Sequence, residues 1–332
     1  MPNSSDRNPL IFQDGLGFVA QLHPGEPNMS HPAVPPTLAD RLKTSLDELR
    51  MQVLGAQVLF GFQFQGLFQD TFEQAGSLER TAHSLSLAAI LVAFAMLIAA
   101  PAQHRLVEAG EATRRVIELS ARCAEFALVA QAVALGCIVF AIALHIEMPQ
   151  PLLSGIAAFM IAMLAWFGLG TWVSPAPRPQ LPEREMTDLH KRIEQMLTEA
   201  RVILPGVQAM LGFQLIVCMA QSFEKLPRGL QFLHFGGLAL GLCSIALLIA
   251  PAAVHRLAFH GNDDDRFHRV GTRLLTIALL PLAVSISCET FIAAWKLGED
   301  LVLATLAAVS VLLMFTGAWY LLPLAVRARG IS

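Results

Sequence analysis

Long apolar runs separated by short polar breaks dominate this chain. From Thr81 to Pro101 the one ionisable side chain is His83, and from Pro149 to Pro177 there is none. A helical run of about 20 apolar residues crosses a hydrocarbon core of roughly 30 Å. The pattern therefore predicts spans at 53–69, 82–101, 119–144, 150–173, 202–223, 230–252, 271–295 and 301–324. Residues 1–37, rich in Pro, Asn, Ser and Gly, bury too little apolar surface to offset ordering entropy and read as a disordered tail. Leu38 to Arg50 reads as an amphipathic lead-in helix. Residues 174–200 open with Pro175, Pro177, Pro179 and Pro182 and continue as a charged helix, Glu183 to Glu199, which makes them a cytoplasmic linker. The linker separates membrane units at 38–173 and 201–326, and 327–332 is a short tail.

The two units are copies. A shift of 151 residues brings Glu48-Leu49-Arg50 onto Glu199-Ala200-Arg201, Gly61-Phe62-Gln63 onto Gly212-Phe213-Gln214, and His104-Arg105-Leu106 onto His255-Arg256-Leu257. It also pairs Gln57 with Gln208, Phe72-Glu73 with Phe223-Glu224, and His83 with His234. From Glu48 to Leu106 no gap is needed, and 21 of 59 positions are identical. Shared hydrophobicity alone does not align Gln, His, Arg and Glu. The expected fold is all-α: eight transmembrane helices as two parallel four-helix repeats, an internal pseudo-dimer.

Charge sets the expected orientation. With eight spans, 19 of the 23 Lys and Arg residues fall on the side of the N-terminus. The opposite side holds Arg80, Lys225, Arg228 and Lys296. Basic excess marks the cytoplasmic face, so both termini are expected inside, in a bacterial inner membrane. If the short, Gln-rich first span of each copy did not cross, the bias would vanish. Composition agrees: 55% of residues are hydrophobic and 15% charged, with mean hydropathy +0.55. A net charge of −3 argues against a nucleic-acid partner. The five cysteines lie in apolar runs without the paired spacing of a zinc site. No metal, cofactor or enzyme motif is expected; GxxxxGK[ST], HExxH and GxSxG are all missing from the chain.

Candidate chemistry sits in the apolar runs. Gln57, Gln63, Gln208 and Gln214 mark the first span of each copy as a polar stripe lining a pathway, or as amides bonding between helices beside Gly55, Gly61, Gly206 and Gly212. Gln63 and Asp70 lie seven apart, hence on one helix face, as do Gln214 and Gln221. Glu125 and Glu289 lie inside the third spans, where a carboxylate is costly and is by default a functional candidate. They are not equivalent: the shift sets Thr276 opposite Glu125 and Ile138 opposite Glu289. Arg122 is one turn from Glu125, and Lys296 two turns from Glu289. His83 and His234, at the other end of the second spans, titrate against the outside medium or are interfacial anchors. His104 with Arg105, and His255 with Arg256, end the second spans as snorkelling topology anchors or pH sensors. Arg50 and Arg201 anchor the starts of the first spans. Pro205 and Pro281 are candidate helix breaks, and Asp263-Asp264-Asp265 reads as a solvated loop.

The repeated unit E-x-R-x-x-x-x-G-x-Q-x-x-x-G-F-Q, followed by a helix ending in H-R-L, resembles an uncharacterised family of bacterial four-helix membrane proteins. Its members usually hold one unit and are in places labelled sodium:proton antiporters. The resemblance covers nearly all of 46–330, twice over. The chain departs from it by duplication, and by Leu54 where the family has Pro, which Pro205 retains in the second copy. The family carries no established mechanism; its label points to the transporter class, with H⁺ or Na⁺ as the cargo of that reading. The alternative is a non-transporting scaffold that binds a partner through the linker or tail.

Overall fold

The computed structural model describes residues 37–168 and 182–329. The predicted tail at 1–36, the Pro175–Pro179 start of the linker and the end of the fourth span lie outside these residues. Among the described residues, eight long helices make up the fold. They are α1 (Leu38–Gly66), α2 (Ser77–Leu106), α3 (Arg114–His145), α4 (Pro151–Met163), α5 (Leu189–Val217), α6 (Arg228–Leu257), α7 (Asp265–Gly298) and α8 (Leu301–Thr316). Short side-chain acceptors start several of them. Thr37 and Asp40 form a reciprocal capping box on α1, Thr113 caps α3, and Asp264 and Asp300 cap α7 and α8. Both fourth helices pass into π-helical turns, Leu164–Gly168 and Gly317–Leu321, and the second continues as Leu322–Ala328.

Seven stretches are long and apolar enough to cross a membrane, one each from α2 to α8, so the chain is an all-α protein of multi-pass membrane type. α1 is not among them. It fuses the expected lead-in and first span into one helix whose first turns carry Asp40, Arg41, Lys43, Asp47, Glu48 and Arg50. The charged linker helix fuses in the same way: it begins at Leu189 rather than Glu183 and runs unbroken into the first span of the second copy. Arg184 and Glu185 ahead of it form β2, paired antiparallel with β1 (Ala112–Thr113). Pro205 and Pro281 lie inside continuous helices and break neither.

The copies are related by a pseudo-twofold axis running between α1 and α5, which pack along their lengths at the centre of the bundle. Lys43 Nζ lies 2.6 Å from Glu194 Oε1, and the rings of Phe62 and Phe213 are 4.5 Å apart. Each pair joins positions equivalent under the 151 shift, and a residue meets its own copy only beside the axis. One contact is near the start of both helices and the other near their ends, so α1 and α5 run parallel. The remaining helices flank this pair in chain order, α2–α3–α4 on one side and α6–α7–α8 on the other. A second signature marks the equivalence. Ser86 Oγ donates to Ala134 O, and Ser285 Oγ to Gly237 O, both at 2.7 Å. The four positions form the same helix pair under the shift, with donor and acceptor helices exchanged.

The pseudo-symmetry is incomplete. Trp319, in the second π turn, is fully buried; its Nε1 donates to Ala95 O of α2 at 3.0 Å, and it stacks on Phe315. Trp166, in the first π turn, is 37% exposed. The last helix therefore crosses onto the first copy, and the fourth helix makes no matching contact among the described residues.

Candidate functional site

Glu289 lies on α7 with no exposed surface, and two neighbouring helices hold it. From α6, His234 Nδ1 sits 2.8 Å from its Oε2; from α5, Gln214 Nε2 donates to its Oε1 at 2.8 Å. The second ring nitrogen, His234 Nε2, sits 3.0 Å from Gln214 O. Gly237 lets the carboxylate approach α6: a Cβ there would lie 2.7 Å from Glu289 Oε1. Ser285, one turn below, accepts from Gln214 Nε2 at 3.4 Å. The aromatic rings of Phe64 and Phe223 cover His234, at 6.2 and 5.1 Å between centroids. An imidazole and a carboxylate in hydrogen-bond contact can exchange a proton without moving a heavy atom. In so buried a site that transfer changes the charge on each group, and the Gln214 amide fixes the orientation of the carboxylate.

The first copy lacks this arrangement. His83 Nε2 repeats the backbone bond, 2.9 Å from Gln63 O, and its ring meets Phe72 edge-on. The acid's position is Ile138, and the Gln63 side-chain amide is buried with neither end hydrogen-bonded among the described residues. The equal 20-residue spacing of Gln and His in both copies was the sequence sign of this contact. That Glu289 closes it in one copy only was not deducible from spacing.

Several expectations need correcting. His83 and His234 are buried rather than open to the outside medium. Lys296, two turns beyond Glu289, turns to Glu73 instead, its Nζ 3.5 Å from Oε1. Glu125 is exposed on the outer surface of α3, with neither an ion pair to Arg122 among the described residues nor any part in the Glu289 site. Gln208 also faces outward, whereas its copy Gln57 is buried and fills the space a Cβ would take at Gly206. The helical stripe from Gln63 to Asp70 does not form, because α1 ends at Gly66 and Asp70 begins a separate 3-10 turn. Gln221 likewise lies beyond the end of α5 at Val217.

His104 and Arg105 do not snorkel. Both are buried against Glu199 of the other copy, with His104 Nδ1 2.5 Å from Oε1 and Arg105 Nη1 2.6 Å from Oε2. Desolvation makes a fully satisfied geometry the condition for such a bridge, yet Arg105 Nε and Nη2 and His104 Nε2 have no partner among the described residues. Glu199 is thus a tie between copies rather than an interfacial anchor. Its equivalent Glu48 is exposed and forms no ion pair among the described residues, His255 stacks on Phe267 at 4.4 Å, and Arg256 is exposed. Arg50 and Arg201 are exposed. Asp263 meets His190 at 2.7 Å in an exposed loop. Among the described residues no group of three or more His, Cys, Asp or Glu is placed to hold a metal ion.

A profile of a family of unknown function (DUF6328) matches residues 37–170 and, a second time, residues 182–323. No curated protein and no solved structure matches the chain.

Proposed function

The chain belongs to that family of unknown function, as two tandem copies of its unit, and we propose that it moves protons, alone or in exchange for a small cation, across a bacterial inner membrane. Glu289 is the proton-binding group; His234 and Gln214 are its positioning residues. The observation that carries the reading is the contrast between the copies. Ile138 takes the acid's place in the first copy while the helices around it pack in the same register, so packing does not require the carboxylate. An intramembrane acid that the fold does not need is a functional candidate.

The proposed topology has eight spans with both termini inside. Support for counting α1 comes from α5: both are 29 residues long, they run parallel about the axis, and α5 is apolar enough to cross. Support for the orientation comes from the 19 basic residues on the side of the N-terminus.

The test is reconstitution of the full chain into liposomes carrying an interior pH dye, with Na⁺ or K⁺ outside. Proton movement above that of empty vesicles, lost in Glu289→Gln and retained in the outward-facing control Glu125→Gln, supports the reading. Folded protein that moves no protons, or Glu289→Gln at undiminished rate, removes it.

A further inference from the structure

At the face of the bundle farthest from Leu38, a crevice of about 440 Å³ opens between the two copies. Phe72, Glu73 and Arg80 line it from the first copy, and Ser222, Lys225 and Lys296 from the second. Four basic residues lie at this end of the sequence pattern, and three of them are here; Arg228 is not. Pockets for small ligands fall at such interfaces and in about this size range, roughly 300–1,000 Å³.

The three cations are not equally occupied. Arg80 is held by backbone: its Nε, Nη1 and Nη2 donate to Ala75 O, Leu297 O and Glu73 O at 3.0, 3.3 and 3.1 Å. The two lysines share one carboxylate. Lys225 Nζ lies 3.2 Å from both oxygens of Glu73, and Lys296 Nζ 3.5 Å from one of them. An ammonium offers three donors. Lys296, whose side chain is 14% exposed, has that one long bond and the Phe68 ring 6.0 Å away. Glu299, the other acid of the crevice, forms no ion pair among the described residues. A shielded cation is left under-satisfied beside a second, exposed one.

We propose that this crevice binds an oxyanion, the carboxylate or phosphate of a ligand, between Lys225 and Lys296, and that Glu73 is a built-in competitor for the same two ammonium groups. Lys296 supplies the shielded contact, where a charge-assisted hydrogen bond is strongest. Lys225 supplies the exposed one. Trp295, Leu226 and Pro227 offer apolar walls to the body of the ligand. The crevice shares no residue with the Glu289 site. Lys296 is seven residues farther along α7, about 10 Å at the helical rise, so the proposal stands or falls separately from proton transport.

Two sources of the anionic group are distinguishable by one experiment on the full chain. Thermal unfolding is followed in uncharged detergent at constant ionic strength with inorganic phosphate or succinate as probes, and in nanodiscs of phosphatidylglycerol against phosphatidylcholine. Saturable stabilisation by a soluble probe is expected. Lys296→Gln should weaken it about tenfold or more, the loss of one charge-assisted hydrogen bond, and Glu73→Gln should tighten it severalfold by removing the competitor. The opposite signs of these two variants are what general salt effects do not produce. Stabilisation by phosphatidylglycerol alone, with the same pattern of variants, assigns the site to a lipid headgroup. Lys225→Gln, at an exposed position, replaces Lys296→Gln if that variant does not fold. Indifference of the folded protein to every probe, or binding that neither lysine variant alters, overturns the proposal.

Discussion

Replacing Glu199 with Gln tests whether a buried tie joins the two copies, and the protein supplies its own control. The Glu199 carboxylate takes one short contact from His104 and one from Arg105, and all three side chains are essentially buried. Removing one partner of a buried pair generally costs about 3–5 kcal/mol, because the other charge stays desolvated. Glutamine keeps one carbonyl acceptor but turns an NH₂ toward the second donor, so we expect the lower end, about 3 kcal/mol. Rescue by another group is blocked, since Arg105 Nε and Nη2 already lack partners among the described residues. Glu48→Gln changes the same position of the repeat, but Glu48 is exposed and forms no ion pair among the described residues, so its effect should stay within about 0.5 kcal/mol. Changing Arg105 and Glu199 to Leu together should recover much of the single-variant loss, because neither charge then remains buried alone. Equilibrium unfolding in mixed micelles, as the fraction of denaturing detergent rises, reads all of these. Equal losses for Glu48→Gln and Glu199→Gln would refute the reasoning, since repeat position rather than burial would then decide the cost.

Other perturbations follow from the same asymmetry. A Cβ on Gly61 would strike the Phe213 ring, whereas one on its copy Gly212 meets nothing within 4 Å. Gly61→Ala should therefore lose about 1–3 kcal/mol by overpacking, and Gly212→Ala should be neutral or gain slightly from helix propensity, by the same unfolding measurement. Burial pushes the Glu108 carboxyl, in the loop after α2, above the ordinary carboxylate range, and its Oε1 has no partner among the described residues. A raised value means that its protonated form is favoured by folding. That stability is complete below the unfolded carboxylate value and is lost as pH rises through the higher folded one. Glu108→Gln should flatten this part of the stability–pH curve and exceed the parent at neutral pH, and a parent curve without that slope would contradict the assignment.

Much of this protein was legible before any coordinates. Apolar run length and the 151-residue echo of Gln, His, Arg and Glu positions define helical membrane units and their number, because a span must satisfy its backbone internally wherever lipid surrounds it. Even the Gln–His contact left a trace, the 20-residue spacing present in both copies.

Tertiary structure decided which member of each equivalent pair is used. Sequence treats Glu48 and Glu199, Gln57 and Gln208, or Gly61 and Gly212 as the same position, and a perfectly symmetric bundle would do so too. The bundle is not symmetric: α8 continues across onto α2, burying Trp319 where Trp166 stays exposed. Across an interface, a one-sided displacement lets one copy's side chain reach a partner while the other copy's faces outward. Whether a carboxylate is buried in an ion pair or exposed depends on that distance between helices, which no local pattern of residues encodes.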